Sequence, residues 1–422
     1  MGEMFYQCVW QYRLFESVGL VTVTGERVEV INQGLRNKDA GPDFFNAQIK
    51  IEGTLWAGNI EIHTDSASWY QHGHDTDHAY DNVVLHVVAK SDGRTIVNAN
   101  GLIIPEIEIR YPQMLENRYK EFLASTSAIH CRRYLNKVTD IQLNFWLERL
   151  LVERFEQRNE RVERLFGEFG GDWNQVCFCL LARSLGGSVN GEQMELLTRC
   201  TPVRLLAKHN DPLQMEALLL GQSGLLPESS DEEYVKNLRR EYDFLKIKFG
   251  LEPMNGAVWK YLRLRPVNFP VIRISQLVSV VALARGNFES VFRTIDVQKL
   301  LKMLNVSASE YWDNHYIFGK TTDVSRRKMI GVNTRRLMII NAIIPFVFAY
   351  MRRYGNEREQ QNIIKMLSFL PIEKNSKLDE WIACGITPKD EGEAQALLLL
   401  RKEYCDKKRC LFCGIGHSIY RS

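Results

Sequence analysis

The stretch of sequence from Asn37 to Val88 decides the fold, and it reads NKDAGPDFFNAQIKIEGTLWAGNIEIHTDSASWYQHGHDTDHAYDNVVLHVV. Apolar and polar residues alternate over 42–51 and again over 55–63, whereas 82–89 is almost continuously apolar. Alternation with a period of two predicts a strand with one buried face, and a short continuous apolar run predicts a strand buried on both faces. The stretch therefore predicts three strands of one sheet.

Elements on either side of these strands complete a mixed N-terminal region. Apolar residues at helical spacing over 5–15 predict a helix that ends by Gly19. The Gly53-Thr54 pair predicts the turn between the two alternating strands. Ser66 predicts the cap of a short helix over 67–80 that is interrupted near Gly73. From the N-terminus to Ala89 the predicted order is helix, three strands, helix and strand.

Beyond about Val138 the pattern changes to long helices. Apolar residues recur at helical spacing and alternate with charged ones, and Gly-Gly, Asp-Pro and Ser-Ser-Asp breaks separate the segments. A length of 422 residues suits two or three domains. We predict an α+β chain with a mixed domain over 1–136, an all-α domain over 137–404 and a cysteine-bearing tail over 405–422.

Composition is that of a soluble globular protein. Hydrophobic residues make up 45% and charged residues 25%, which is ordinary for globular domains. No apolar run approaches the roughly 18 residues that span a bilayer, and the N-terminus lacks the basic and small-residue features of a signal peptide. We therefore predict a cytoplasmic protein without a membrane segment. The net charge of +3 permits nucleic-acid binding without arguing for it.

Two acids stand at the edges of the alternating runs. Asp43 follows Pro42, and Glu61 comes after 17 intervening residues, with His63 two positions further on. Glu61 and His63 face the same side of a strand, and Asp43 on a neighbouring strand can face them. Paired carboxylates suit a hard cation such as Mg²⁺ or Mn²⁺, which activates water and offsets phosphate charge. An acid in a turn or an exposed strand residue is the structural alternative.

These residues and this element order resemble the PD-(D/E)XK nuclease superfamily, whose core is αβββαβ and restriction-endonuclease-like. The resemblance covers about 5–89 and implies that Asp43 and Glu61 bind the divalent metal, with Glu16 as a further acid from the first helix. His63 stands where that superfamily usually has lysine. A neutral histidine can bind metal, orient water or act as a base, but it is no permanent cation.

Nearly the whole chain is also similar to a bacterial family of unknown function. The similarity rests on the strings GPDF, W-x-GNIEIH, HAYDNVVLHVV, RPVNFP and the terminal YC-x4-C-x2-C. It implies no established activity.

A histidine-rich segment follows the second acid. If the helix over 67–80 is continuous, His74 and His78 share one face, where they and an acid suit zinc. Alternatively the segment is a polar loop at the mouth of the site that contacts a phosphate backbone, or its histidines cap backbone groups and face solvent. We predict that His74, His78 and Tyr80 contact substrate, because they lead directly into the buried strand.

Three cysteines near the C-terminus have metal-ligand spacing. Cys405, Cys410 and Cys413 are followed by His417, and a Cys₃His zinc site is the first interpretation. Cys8 or Cys131 is an alternative fourth ligand. Some nucleases of the resembled superfamily hold an iron–sulfur cluster with one early and three late cysteines, although the spacing there differs. Buried or free thiols in a packed tail are the structural alternative.

Basic residues in the helical region offer a second place for phosphate. Arg265, Asn268 and Arg273 lie around a proline-bounded loop with few acids nearby, and arginine donates in a fork that matches phosphate. The same side chains can instead hold the loop by bonding to backbone carbonyls. The segment that contains Arg326, Arg327 and Lys328 is predicted to be an exposed basic loop.

The favoured function is metal-dependent hydrolysis of phosphodiester bonds in DNA or RNA. In this hypothesis Asp43 and Glu61 hold the metal and His63 positions or deprotonates water, so these three residues are the predicted catalytic set. One alternative is a catalytically inactive module that binds nucleic acid or protein. Another is a different metal-dependent hydrolase that uses the His72–His78 segment.

Overall fold

The computed structural model describes residues 1–37, 39–292 and 296–421. The chain divides into two compact units, Met1–Trp146 with Leu400–Ser422 and Leu147–Leu399. The first unit contains a mixed sheet with helices, and the second is largely helical, so the predicted α+β class is confirmed. The first unit combines both ends of the chain, which the predicted boundaries at 136/137 and 404/405 assign to separate domains.

The helices, numbered in chain order, are α1 (Glu3–Gln11), α2 (Ala67–Gln71), α3 (Gln113–Ala124), α4 (Asp140–Glu168), α5 (Trp173–Cys200), α6 (Val203–Leu206), α7 (Pro212–Gln222), α8 (Glu233–Phe249), α9 (Pro270–Ala284), α10 (Phe288–Phe292), α11 (Val297–Met303), α12 (Val332–Met338), α13 (Ile344–Tyr354), α14 (Glu357–Lys365), α15 (Ser376–Ile382), α16 (Glu391–Leu399) and α17 (Gly414–Arg421). Helices α1 to α3 and α17 belong to the first unit, and α5 to α16 belong to the second.

The strands of the first unit are β1 (Val28–Asn32), β2 (Leu35–Arg36), β3 (Phe44–Ile51), β4 (Thr54–Asp65), β5 (Val83–Lys90), β6 (Ile96–Val97), β7 (Ile103–Ile104) and β8 (Glu106–Glu108). Its main sheet has the order β1-β3-β4-β5-β8, with β2 paired to β3, while β6 and β7 pair with each other. Neighbours from β1 to β4 are antiparallel, whereas β4, β5 and β8 run parallel. Strand β4 therefore lies at the centre of the sheet, between an antiparallel and a parallel half.

A two-residue turn joins β3 to β4. Ile51 pairs with Thr54, and both turn residues have positive φ, 48° at Glu52 and 82° at Gly53. Positive φ at both positions is the geometry of a type I′ hairpin, whose twist matches that of the flanking strands. The predicted turn at Gly53 and Thr54 is thus displaced by one residue, because Thr54 already belongs to the strand.

One extra residue in β3 changes the register of the hairpin. Phe44 lies opposite Ile60, but Ala47 lies opposite Gly58, and Asn46 between them takes a left-handed φ of 56°. Asparagine tolerates this conformation better than most residues. Continuing the Ala47 register would set Asp43 opposite Ile62. With the bulge, Asp43 stands opposite Glu61 instead, and the two side chains share one face.

Two predicted helices are shorter than their apolar patterns indicate. Helix α1 ends at Gln11, and Arg13 just beyond it has a φ of 48°. Glu16 therefore does not lie on the first helix, which corrects that prediction. Helix α2 ends at Gln71, and Gly73 with a φ of 74° turns the chain back before a short 3-10 segment at His78–Tyr80. The predicted interruption near Gly73 is confirmed, and the α-helical part of 67–80 ends before it.

The second unit is built around large aromatic and aliphatic side chains. Phe178, Phe288 and Trp312 are fully buried in its core. A short hairpin of β9 (His315–Ile317) and β10 (Lys320–Thr321) corrects the prediction that this region is entirely helical. In the predicted exposed basic loop, Arg326 and Arg327 are exposed as expected. Lys328 is the exception, because it is buried and its Nζ donates to the carbonyl oxygens of Asp313 and Arg326.

One helical run of the second unit is long and apolar. Within the described ranges, Val332–Tyr354 is the one helix with the length and composition to cross a membrane. Of its most apolar 18-residue window, 61% is buried inside the protein, as in a core helix. In this run α12 and α13 join through a π-helical turn at Ile339–Ile343.

Candidate metal centre

A row of polar side chains crosses the otherwise apolar sheet. Glu61 on β4 pairs with His86 on β5, and His86 pairs with Glu106 on β8. Asp43 continues the row on the other side, because its backbone N–H donates to Glu61 Oε2 at 2.9 Å. All except Asp43 are buried, and paired residues on neighbouring strands face the same side. Placing these ionisable groups on one face of the sheet costs desolvation free energy, and packing alone does not require such groups there.

The two predicted acids lie together, as their positions on neighbouring strands lead one to expect. Asp43 accepts hydrogen bonds from Gln7 Nε2 at 2.7 Å and from the Ile62 backbone N–H at 3.1 Å. Burial, and secondly the neighbouring Glu61, raise the pKa of Asp43 to about 7. Burial also raises the pKa of Glu61 to about 8. Two adjacent carboxyls held against ionisation in this way are stabilised as anions when a cation lies beside them.

Three imidazoles converge on the same face. One ligand nitrogen from each of His63, His72 and His74 lies within 4.8 Å of the other two. His63 Nε2 is 3.2 Å from His72 Nδ1, and Glu61 Oε1 lies 3.5 Å from His63 Nε2 and 3.4 Å from His74 Nε2. Metal–nitrogen bonds of about 2.0–2.1 Å place tetrahedral ligands about 3.3 Å apart. The separation of 3.2 Å between His63 Nε2 and His72 Nδ1 matches that edge. We call His63, His72 and His74 the histidine site.

The three histidines reach the site by different routes. His63 projects from β4, two residues after Glu61. His72 and His74 lie on the return loop after α2, on either side of the turn at Gly73. His72 is exposed, whereas His63 and His74 are buried. The site therefore opens to solvent on the side of His72, which leaves a path for an ion or a substrate.

A chain of hydrogen bonds behind His63 determines which of its nitrogens is free. Burial alone would raise the pKa of Glu106, but hydrogen bonds from His86, Ser91 and Ser66 outweigh it and lower that pKa. The Glu106 carboxylate thus accepts from His86 Nδ1 at 2.8 Å, and His86 Nε2 lies 2.8 Å from His63 Nδ1. Because His86 Nδ1 donates to Glu106, its Nε2 accepts from His63 Nδ1–H, and His63 Nε2 presents a lone pair. This is the usual orientation of a metal-bound imidazole.

The protonation preferences of the histidines agree with that assignment. Burial, with the neighbouring histidines His86, His74 and His72, lowers the pKa of His63 to about 2. Burial likewise lowers the pKa of His74, although the nearby acids act to raise it. The Nε2 atom of His74 is buried and has no hydrogen-bond partner among the described residues. A neutral imidazole with an unpaired inward nitrogen is a competent metal ligand.

The remaining residues predicted for this region occupy different positions. Tyr80 stacks on His74 with ring centroids 3.7 Å apart, so it supports the histidine site from behind. His78 is exposed and bonds to Asp81 at 2.8 Å, away from the three histidines. Glu16 lies elsewhere too, where it lines a surface pocket with residues 18–23, 91, 93, 108 and 110. The acid of α1 that acts electrostatically on Asp43 and Glu61 is Glu3.

The predicted phosphate-binding residues lie in the second unit, where Arg273 bonds to Asn268. Arg273 is buried, and its guanidinium donates to Asn268 Oδ1 at 2.7 Å and to Gln276 Oε1 at 2.8 Å. Burial lowers the pKa of Arg273 to about 10. Arg265 is exposed. The arginine thus joins the loop to α9 through side-chain bonds, which is close to the structural alternative considered for it.

Sequence reasoning did not select His86 and Glu106 as site residues. His86 stands in the apolar strand β5 and Glu106 begins the short strand β8, and the register between the two strands brings them together. A single histidine inside the run VVLHVV was the one available signal, since a buried histidine requires a hydrogen-bond partner.

The C-terminal cysteines lie in the first unit. Cys405, Cys410 and Cys413 line a cavity together with Cys131. His417, the predicted fourth ligand, does not line it, and its Nε2 is hydrogen-bonded to the Leu411 carbonyl. The Cys8 thiol donates to the same carbonyl at 3.2 Å. Of the two early cysteines considered, Cys131 is thus the one beside the three late ones.

Comparison with known proteins identifies a family and no activity. The model of a family described as Protein of unknown function (DUF2851) matches residues 3–376. No curated protein and no solved structure matches the chain. The matched span contains the polar row and the histidine site, whereas the three late cysteines follow it. Because the match covers most of its length, the chain belongs to the DUF2851 family.

Proposed function

We propose that this chain is a metal-dependent hydrolase that cleaves phosphodiester bonds in DNA or RNA. The observation that carries the proposal is the histidine site, where three ligand nitrogens lie within 4.8 Å of one another and Glu61 lies 3.4–3.5 Å from two of them. In this proposal His63, His72 and His74 hold the ion, and Glu61 faces the position next to it.

The ligand set favours a nitrogen-preferring ion. Imidazole suits zinc and other first-row transition metals, whereas Mg²⁺ prefers carboxylate, carbonyl and water oxygens. We therefore propose zinc in place of the Mg²⁺ or Mn²⁺ that the acidic pair alone suggests. When bound, such an ion lowers the pKa of a coordinated water and offsets negative charge on a phosphate.

The acids around the site have distinct roles in this proposal. Glu61 Oε1 faces the histidine nitrogens, and a carboxyl whose pKa lies near neutrality suits the transfer of a proton from water. Asp43 holds Glu61 in place through its backbone N–H and is itself anchored by Gln7 and Ile62. Asp43 is therefore a positioning residue for Glu61.

The topology of the first unit supports the choice of bond. Apart from the two-residue strand β2, the order α1, β1, β3, β4, α2, β5 is the one that a resemblance to PD-(D/E)XK nucleases implies. Asp43 directly precedes β3, and Glu61 lies on the neighbouring strand β4. His63 departs from that pattern because its lowered pKa keeps it neutral. Charge on the phosphate would thus be offset by the bound ion and not by His63.

The proposal is tested by metal content and cleavage in matched variants. Wild type, His74→Ala, Glu61→Gln and the control His78→Ala are loaded with Zn²⁺, Mn²⁺ or Mg²⁺ and assayed on single- and double-stranded DNA, on RNA and on bis(p-nitrophenyl) phosphate. We expect His74→Ala to lose zinc, Glu61→Gln to lose cleavage, and His78→Ala to retain both, since His78 lies outside the site. Wild type that binds no transition metal and cleaves none of these substrates overturns the proposal.

A second candidate function is a nucleic-acid-binding module without catalysis. It is favoured by the neutral His63 at the position where the resembled nucleases carry a lysine. Metal-dependent binding of DNA or RNA by wild type, with no cleavage under any of the ion conditions, would select this candidate over the hydrolase.

A further inference from the structure

One buried carboxylate in the second unit is surrounded by arginines. Glu195 on α5 is buried, and its Oε2 accepts from Arg161 Nη2 and, at 2.8 Å, from Arg183 Nη1. Its Oε1 accepts from Arg199 Nη2 at 3.0 Å. Burial alone would raise the pKa of Glu195, but the three arginines outweigh it and lower that pKa. A single anionic side chain therefore holds three guanidinium groups together.

A second acid joins this network without neutralising it. Glu168 Oε2 accepts from Arg199 Nη1 at 2.8 Å, and Glu168 Oε1 lies 3.9 Å from Arg164 Nε. We call Arg161, Arg164, Arg183 and Arg199 the arginine cluster. Within the described ranges, no other carboxylate is paired with the cluster. Four guanidinium groups thus face two carboxylates, and the net charge of +2 leaves a repulsion that a bound anion would relieve.

Two glutamates of α4 that could balance the cluster are engaged elsewhere. Successive residues of a helix are rotated by about 100°, so Glu156 and Glu163 lie on the far side of α4 from Arg161. Glu156 accepts from Arg352 Nη1, and Glu163 lies 3.8 Å from Arg353 Nη1, with both arginines on α13. The side of α4 that carries Arg161 therefore keeps its positive charge.

The cluster is open to solvent although its guanidinium groups are held in place. Between 30% and 67% of each of its side chains is exposed. A guanidinium has five N–H donors, and the two carboxylates accept at most two from each arginine. Arg161 Nε, moreover, is buried and has no hydrogen-bond partner in the described part of the chain. Positioned donors are thus left over for a ligand.

Arginines arranged in this way suit phosphate. A guanidinium donates two parallel N–H groups to a phosphate, and side chains that Glu195 already holds lose less conformational freedom on binding. The free donors of four guanidinium groups outnumber the oxygens of a single phosphate, so a chain of phosphates uses them more fully. A nucleic-acid backbone is such a chain, and contacts of its phosphates with arginine and lysine supply most of the sequence-independent affinity.

We propose that the arginine cluster binds the phosphate backbone of DNA or RNA. The contact is independent of sequence, since bonds between guanidinium and phosphate do not distinguish one base from another. It requires neither a metal ion nor cleavage, and it shares no residue with the histidine site. The proposal therefore goes beyond the proposed hydrolase, because hydrolysis can fail while this binding holds.

The test measures the binding of short labelled DNA and RNA oligonucleotides to the full-length protein by fluorescence anisotropy, in EDTA so that no metal ion takes part. The variants are Arg183→Gln and the more exposed Arg164→Gln. The matched control is Arg240→Gln, which removes an exposed arginine of α8 that is bonded to Asn237.

We expect Arg183→Gln to raise the Kd about tenfold, because it removes a charge-assisted hydrogen bond. Both cluster variants should lower the slope of log Kd against log salt by about one, since each removes one phosphate contact. The control should leave the Kd and the slope unchanged. Circular dichroism shows whether each variant is folded, and Arg164→Gln keeps the test decisive if Arg183→Gln unfolds.

Three outcomes overturn the proposal. The first is wild type that binds neither DNA nor RNA in EDTA. The second is binding by both cluster variants that equals that of Arg240→Gln. The third is inorganic phosphate that binds as tightly as the oligonucleotide and displaces it, which would assign the cluster to a free phosphate. The variant His74→Ala separates the two proposals, since it should lose zinc and cleavage yet bind the oligonucleotide in EDTA as wild type does.

Discussion

Replacing Glu106 by glutamine tests whether the hydrogen-bond chain behind His63 prepares it to bind a metal. Glu106 accepts three hydrogen bonds, from His86 at 2.8 Å, from Ser66 at 2.8 Å and from Ser91 at 2.5 Å. Glutamine has nearly the same shape but no charge. If its carbonyl faces His86, the bond survives without charge assistance. If its amide N–H₂ faces His86, the ring must accept there, and the lone pair of His63 Nε2 is replaced by N–H.

The expected magnitude follows from these two orientations. A hydrogen bond to a charged group contributes about 1.5–3 kcal/mol and a neutral one about 0.5–1.5 kcal/mol, so losing the charge costs about 1–1.5 kcal/mol. That corresponds to roughly a tenfold weaker zinc affinity, since 1.4 kcal/mol is tenfold. The inverted tautomer blocks the ligand and costs more. Glu106→Gln should therefore raise the Kd for zinc about 10- to 100-fold, the usual range for the partners of metal-bound histidines.

The assay is zinc competition with a chromophoric chelator, accompanied by nitrogen NMR of the labelled histidines. The control is Glu108→Gln, which removes an exposed carboxylate two residues along the same strand. We expect the control to bind zinc like wild type and to keep the proton of His63 on Nδ1. Glu106→Gln with a Kd within twofold of wild type and an unchanged His63 tautomer would refute the reasoning.

Three further predictions concern stability. Burial raises the pKa of Glu391 from 4.5 to about 7, so its contribution to stability is complete below about pH 4.5 and is lost as the pH rises through about 7. In urea titrations, the free energy of unfolding of wild type should therefore fall by about 1–2 kcal/mol more than that of Glu391→Gln between about pH 5 and pH 8. Equal losses in the two proteins would contradict this prediction. A Cβ at Gly58 would collide with Val84, so Gly58→Ala should lower the free energy of unfolding by about 1–3 kcal/mol. The control Gly167→Ala lies in a helix with open space around it and should not lower that free energy. Equal unfolding temperatures of the two variants would argue against the close contact at Gly58. Zinc at about 100 times its Kd should stabilise wild type by about 2.7 kcal/mol and leave the stability of His74→Ala unchanged, which calorimetric melting measures. An equal rise of the unfolding temperature in both proteins would place the ion elsewhere.

Most of the first unit was predictable because its strands carry their own periodicity. Ala47, Ile49 and Ile51 alternate inward on β3 as the pattern of 42–51 indicates. The pattern slips at Asn46, however, so Phe44 and Ala47 are both buried although they are three residues apart. A bulge depends on the partner strand, and alternation within one strand does not reveal it.

The site could be predicted only where its residues lie on neighbouring strands that both show alternating apolar and polar residues. Asp43 and Glu61 could be paired from the hairpin they flank. Glu106 could not be assigned, because it is isolated in sequence from the groups beside it. Cys131 could be named only as one of two alternatives to His417 beside the late cysteines. His72 and His74 were visible as a rich segment, but the turn at Gly73 brings His72 to the site where a continuous helix would have brought His78.

The bulge at Asn46 determines which changes of chain length the sheet can accept. A deletion inside a strand ordinarily inverts every side chain beyond it. Here the ladder already contains one residue too many, so removing Asn46 would keep Ala47 opposite Gly58 and Asp43 opposite Glu61 while relieving a left-handed conformation. Strand β4 contains no extra residue between Gly58 and Glu61, so a deletion there would shift the register of the strand. We therefore expect β3 to tolerate a shortening that would destroy the polar row if it occurred in β4.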